Sequence, residues 1–306
     1  MQVLKFGGSS LFDAEAIRHV AGLIRDHAQQ DEIVVVCSAC GGVTNHLARI
    51  VELVRSGRAV QALVEANAIG ARHRAVLFAL ELGAEEPAAW LALDELRCEL
   101  RELVARTSPR NAGLAWCDAV LSYGERVSVR LVAAALRRSG LKAESVDARD
   151  FLVTDDSFQN AVPLWDETRP RATKVLGTLL TRGTIPVVTG FIGATRDGRI
   201  TTLGRNSSDY SAAIVGALLD AAEVSIWTDV DGVYDGDPRT TGGSMTLLEE
   251  MTYSEALHLA SNGAKVLHPR TIEPLRQKGI ALRVRNTFRP EHTGTRIGPE
   301  ARSCVR

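Results

Sequence analysis

No stretch of this chain concentrates lysine and arginine, and that absence removes one class of function at once. Recognition of a nucleic-acid backbone needs a basic footprint. Here 36 Lys+Arg stand against 37 Asp+Glu, for a formal net charge of -1 over 306 residues. Apolar runs long enough to span a bilayer are also missing. The N-terminus opens directly on the strand-like VLKF, so no signal peptide is visible. Five cysteines, an odd number in a long chain, make no disulfide framework. A cytoplasmic, reduced protein that binds neither nucleic acid nor membrane is the expectation.

Familiar catalytic signatures are absent as well. There is no GxxxxGKS/T segment, so any ATP site is not a P-loop, and the HRD and DFG pair of protein kinases is missing. No GxSxG elbow accompanies the histidines, and His268, before Pro269, reads as structural. Cys37 and Cys40 form a CxxC pair, but no second pair or closely spaced histidines follow. An apolar strand running into CSACGG favours small buried cysteines over zinc or redox chemistry.

What is present is an alternation of strand and helix signals in a composition of 45% hydrophobic and 24% charged residues, ordinary for a globular protein. Val3–Phe6, Ile33–Cys37, Ile185–Thr189, Val224–Thr228 and Leu282–Val284 are short, mostly β-branched apolar runs. Such runs suit central strands covered on both faces. Helices are expected over Ala14–Ala28, Glu125–Ser139, Ser208–Leu219 and Tyr253–Ser261. From about 47 to 106 the chain is rich in Ala, Leu, Glu and Arg, which predicts two or three helices inserted between early strands. They would cover the sheet or form a subunit contact. The pattern calls for an α/β sandwich.

Chemistry concentrates where glycines interrupt apolar runs beside charged residues. Lys5, at the end of the first strand, is followed by Gly7 and Gly8, and ligands of open α/β sheets gather outside that strand edge. In TLGRNSSDYS, Arg205 suits a carboxylate, while Ser207 or Ser208 can cap the following helix, whose amino end attracts anions. Asp209 at the helix start favours the dipole. WTDVDGVYDGDPR holds four aspartates, Asp229, Asp231, Asp235 and Asp237, in a turn-forming context. The glycine and closing glutamate of a calcium loop are not both in register.

Taken in order, KFGGSS, SACGGVTN, SYGE, GFIG, TLGRNSSD, WTDVDGVYDGDPR and GAKVLHPR make the chain resemble the catalytic domain of aspartate kinases, within the amino acid kinase superfamily. The resemblance covers nearly the whole chain. It implies a three-layer αβα sandwich with a mainly parallel sheet and a single catalytic domain over 1–306. The N-terminal part would bind the acceptor, and the part from about 185 the nucleotide.

The resemblance implies ATP-dependent phosphorylation of the side-chain carboxylate of L-aspartate. Lys5 would contact the transferring phosphoryl group, and Ser38 and Thr44 would line the substrate region. Arg205 would bind the α-carboxylate with Ser208 beside it, while Glu125 and Asp209 would hold the α-ammonium, Asp209 also orienting Lys5. Gly7, Gly8, Thr228, Asp229, Tyr234, Asp237 and Arg239 would serve the nucleotide, and Lys265 its phosphates. Mg²⁺ would be held mainly through ATP, with no protein-only metal site.

Ser9 stands where many relatives have Thr. Ser207 replaces a glycine common in the family, and its added Cβ is expected to restrict the backbone beside the substrate. After TGTRIG the chain ends, whereas most relatives continue into paired ACT domains. The expectation is therefore a kinase without lysine or threonine feedback, with any homodimer formed through the catalytic domain. A kinase of another amino dicarboxylate or acid acceptor, and a non-catalytic nucleotide-binding subunit, are the competing readings.

Overall fold

A computed structural model describes residues 1–82, 86–235, 246–261 and 269–299. Along the chain run β1 (Gln2–Phe6), α1 (Ala14–Ala28), β2 (Ile33–Cys37), α2 (Val43–Arg55), α3 (Ala59–Ala79), α4 (Pro87–Ala105), α5 (Leu114–Leu121), α6 (Tyr123–Arg138), β3 (Ala143–Val146) and β4 (Val153–Thr154). They are followed by α7 (Trp165–Thr181), β5 (Ile185–Thr189), β6 (Ile192–Thr195), β7 (Ile200–Thr202), α8 (Ser208–Leu218) and β8 (Glu223–Thr228). The last elements are β9 (Val233–Tyr234), β10 (Leu247–Leu248), β11 (Glu250–Thr252), α9 (Tyr253–Ser261), α10 (Pro269–Lys278), β12 (Ala281–Asn286) and β13 (Thr295–Gly298).

The main sheet has the order β11-β13-β12-β8-β1-β2-β5-β3. Every pairing in it is parallel except that of β12 with β13. Its middle strands are the apolar runs anticipated from sequence, and β2 and β5 are buried at every position. Because successive side chains point to opposite faces, β1 sends Leu4 and Phe6 to one side and Val3 to the other. Leu4 and Phe6 join a core with α1, α2, α3, α4 and α6. Val3 joins a second core with α7, α8, α9 and α10. The sheet is the middle of three layers.

Local sequence explains the helices. Asp13 caps α1 by accepting from Ala16 N–H at 2.9 Å. Ile17, Val20, Ala21 and Ile24 then form the buried stripe. The inserted helices are α2, α3 and α4, with Ala62, Leu77, Leu93 and Leu100 buried in the core that covers one face of the sheet. A smaller sheet has the order β4-β6-β7, with β4 preceding α7 and with β6 and β7 between β5 and α8 along the chain.

Candidate active-site cleft

The strands that carry the glycine-interrupted motifs end side by side. Phe6 is in register with Cys37 and Trp227, and Cys37 with Thr189. Backbone bonds continue past the strand ends: Gly7 N–H donates to Trp227 O at 3.1 Å, Ser38 N–H to Phe6 O at 3.1 Å, and Gly190 N–H to Cys37 O at 2.9 Å. The turns after β1, β2, β5 and β8 therefore open on one edge, where parallel sheets place their ligands. They wall a cleft of about 1240 Å³. It brings together Lys5, Gly7, Gly8, Ser38, Thr44, Glu125, Arg205, Ser208, Asp209, Thr228 and Asp229.

Strand alternation places Lys5 on the same face as Val3, the face that α8 covers. Asp209 stands in the first turn of α8, and its Oδ1 lies 2.6 Å from Lys5 Nζ. Lys5 is only 8% exposed. A buried ammonium is tolerated because this carboxylate pairs with it, and the pair fixes a positive group at the cleft floor. Neither Gly7 nor Gly8 adopts a left-handed backbone. What Gly8 supplies is room, since a Cβ there would stand 3.0 Å from Ala39 O.

Glu125, in the first turn of α6, is 3% exposed. Its Oε1 accepts from Ala39 N–H at 3.2 Å, while Oε2 is buried and has no partner among the described residues. Burial pushes its pKa up to about 8, against the weaker opposing effect of the Ala39 and own-backbone N–H groups. Glu125 lines the cleft, and an orphaned carboxyl oxygen is a receptor for a donor; a cationic donor would ionise it. Cys40 and the adjoining Cys37 are buried free thiols, raised in pKa chiefly by that burial. They behave as small apolar residues.

Neither serine caps α8. Ser207 holds the capping position without a side-chain capping bond, and its buried Oγ has no partner among the described residues. Among those residues the amino end of α8 thus keeps unpaired N–H groups beside the cleft, the condition for holding an anion. Ser207 has φ −90° and ψ 8°, so its Cβ imposes no strain, contrary to the expectation from its replacing glycine. The left-handed conformation falls instead on Asn206, at φ 59°. Arg205 is exposed at the rim. Gly190 is required for close approach: a Cβ there would lie 2.8 Å from Ser208 Cβ and 3.0 Å from Cys37 O.

Phe191, Gln159, Asn45 and Thr202 also line the cleft and were not anticipated from sequence. Phe191 takes φ 70°, uncommon for an aromatic residue. Its N–H donates to Ser211 Oγ at 2.8 Å and its carbonyl accepts from Leu203 N–H at 2.9 Å, which hold the conformation. Only its place between GFIG glycines hinted at it.

Thr228 Oγ1 donates to Asp229 Oδ1 at 3.1 Å, and Thr228 O accepts from Thr287 N–H at 2.8 Å. Tyr234 is not brought to the cleft wall: it pairs with Leu247 in the β9–β10 ladder. Asp237, Arg239, Lys265 and His268 lie outside the described residues. Among the described residues no three His, Cys, Asp or Glu side chains converge as a metal cage.

The amino acid kinase family model matches residues 1–286. The chain is 36% identical over 306 residues to aspartokinase 2, chloroplastic, of Arabidopsis thaliana, covering 96% of this chain and 54% of that protein. It is 37% identical over 298 residues to bifunctional aspartokinase/homoserine dehydrogenase 2 of Escherichia coli K12, covering 97% of this chain and 35% of the relative. The chain thus spans about a third to about half the length of these curated relatives. A crystal structure of E. coli aspartokinase III in complex with aspartate and ADP matches with a TM-score of 0.86 at 32% identity, over 99% of this chain and 65% of that one. With the family model spanning residues 1–286, this chain belongs to the amino acid kinase family.

Proposed function

We propose that this chain transfers the γ-phosphoryl group of ATP to the side-chain carboxylate of L-aspartate, giving 4-phospho-L-aspartate and ADP. The observation that carries the reading is the charge pattern of one cleft. A buried lysine, an uncapped helix amino end, a buried carboxyl oxygen without a partner and a rim arginine match the charges of an amino dicarboxylate and a polyphosphate. Relatives named as aspartokinases, and the aspartate and ADP of the aspartokinase III complex, support it.

The acceptor carboxylate is already a nucleophile at neutral pH, so no general base is needed. One of its oxygens attacks the γ-phosphorus, and the bond from that phosphorus to the ADP oxygen breaks. Catalysis then consists of alignment and charge neutralisation. Lys5 would stabilise charge on the transferring group, with Asp209 fixing its direction. Glu125 would take the α-ammonium on Oε2, and Arg205 the α-carboxylate. Ser38, Thr44 and Ser208 would line the acceptor side. Gly7, Gly8, Thr228, Asp229, Tyr234, Asp237, Arg239 and Lys265 would serve the nucleotide.

The cleft is roomy and polar enough for nucleotide and acceptor together, and its Asp209 carboxylate is committed to Lys5. Mg²⁺ fits as a companion of the phosphates, and when bound it would neutralise their charge. The reading takes residues 1–306 as one catalytic domain, and turnover by this polypeptide is expected to be insensitive to millimolar lysine or threonine. The test is ADP release with ATP and Mg²⁺ against aspartate, glutamate, acetylglutamate and no acceptor, with hydroxylamine trapping. Aspartate-dependent hydroxamate is the expected result; turnover with a different acid, or none at all, would overturn it.

A further inference from the structure

The segment Gly204–Asp209 carries Arg205, Ser208 and Asp209, yet its own backbone is poorly suited to hold a shape. Gly204 has φ 103° and Asn206 φ 59°, both in the left-handed region. Something outside the segment has to define it. Arg270, in the first turn of α10, touches the chain on both sides of it. Nη1 donates to Leu203 O at 2.9 Å and to Asn160 Oδ1 at 2.8 Å, and Nη2 to Ala161 O at 3.1 Å. The guanidinium also lies over the Tyr210 ring, 4.6 Å from its centre. Leu203 immediately precedes the segment and Tyr210 immediately follows it.

A buried charge meets the same place from the opposite layer. Asp118 on α5 is fully buried, and its carboxylate accepts from Thr202 N–H at 2.8 Å, Thr202 Oγ1 at 2.9 Å and Gln159 N–H at 2.9 Å. Thr202 O accepts from Ala161 N–H at 3.0 Å, and Leu203 N–H donates to Phe191 O at 2.9 Å. Even Gly204 is fitted to the clamp, since a Cβ there would stand 3.3 Å from Asn160 Oδ1 and 3.9 Å from Arg270 Nη1. Neither Arg270 nor Asp118 is among the residues lining the cleft.

We propose that Arg270 and Asp118 are positioning residues that together clamp the acceptor-side segment, so that Arg205 and Ser208 are held in place before any ligand arrives. Arg270 acts through carbonyl oxygens and a ring face that only a planar, forked cation can engage at once. Asp118 acts through the amide that begins the same stretch. The consequence for kinetics rests on the kinase reading above; the consequence for the segment's mobility does not.

The test compares wild type with Arg270→Lys and Asp118→Asn. Each keeps much of the side-chain volume while removing the fork or the charge. Hydrogen exchange of the bonded amides of Thr202, Leu203 and Ser211 is expected to quicken by about tenfold or more in both, with the β1 and β2 amides unchanged. The aspartate KM is expected to rise about tenfold, with the ATP KM and the kcat at saturating aspartate within about threefold of wild type. Wild-type exchange in both variants, or an equal rise in the ATP and aspartate KM, overturns the proposal. So does global unfolding of both variants, which would show a general structural role. If wild type does not phosphorylate aspartate, the functional reading falls and the exchange result alone decides the clamp.

Discussion

Glu125→Gln gives the sharpest test of how the cleft would receive an amino acid. The wild-type carboxyl is buried, has one unpartnered oxygen and titrates at about 8. At pH 7 only about one molecule in eleven then carries the anion that an α-ammonium requires, and apparent affinity falls with that fraction. Between pH 7 and pH 8 the ionised fraction rises about fivefold, so the aspartate Kd should fall by about that factor and level off near tenfold above pH 8. Binding at pH 7 should release about 0.9 proton per aspartate from this group. Titration calorimetry in buffers of different ionisation enthalpy reads the proton count directly. The glutamine variant keeps an oxygen for Ala39 N–H, loses the titration, and should bind weakly with no release attributable to this position. Equal proton release by wild type and variant would refute the reasoning.

The same group sets a pH dependence of stability in the absence of ligand. Its folded pKa is raised above the ordinary 4.5, so the penalty for burying the carboxylate is absent below pH 4.5, grows as pH rises towards about 8, and is constant beyond. Glu125→Gln should therefore gain stability over wild type as pH rises across that window, on the order of a few kcal/mol by urea unfolding; a flat difference would contradict the sign. Lys5→Ala should lower the rate about a hundredfold or more, the scale of one electrostatic contact made in the transition state, and turnover near wild type would remove Lys5 from that role. Arg205→Ala should raise the aspartate KM and leave the ATP KM unchanged, since its contact would exist in the ground state; the opposite pattern in initial-rate assays would place it on the wrong substrate.

Much of the fold was legible in the sequence because the central strands are buried on both faces. Ile33–Cys37 is an unbroken apolar run, Ile185–Thr189 is apolar up to its closing threonine, and both strands have those bounds. Helix α1 spans the expected Ala14–Ala28, capped by Asp13 with Ile17, Val20, Ala21 and Ile24 buried. Helix α7 was not, because Pro170 lies inside it and its early positions are polar. The two-residue strands β4, β9 and β10 carry no period of their own and exist only through their partners.

Sequence alone determined the set of chemical groups and their order: Lys5 before glycines, Glu125 after SYG, Arg205 and Asp209 at a helix start. These are local patterns, written within a few residues. Only tertiary structure decided which groups meet. The 2.6 Å approach of Asp209 to Lys5 depends on strand alternation and on α8 crossing the same face. The raised pKa of Glu125 depends on burial by residues distant in the chain. The grip of Asp118 and Arg270 on one stretch of backbone depends on α5 and α10 arriving from opposite layers. Burial and long-range pairing belong to the packed molecule, so no spacing along the chain could have displayed them.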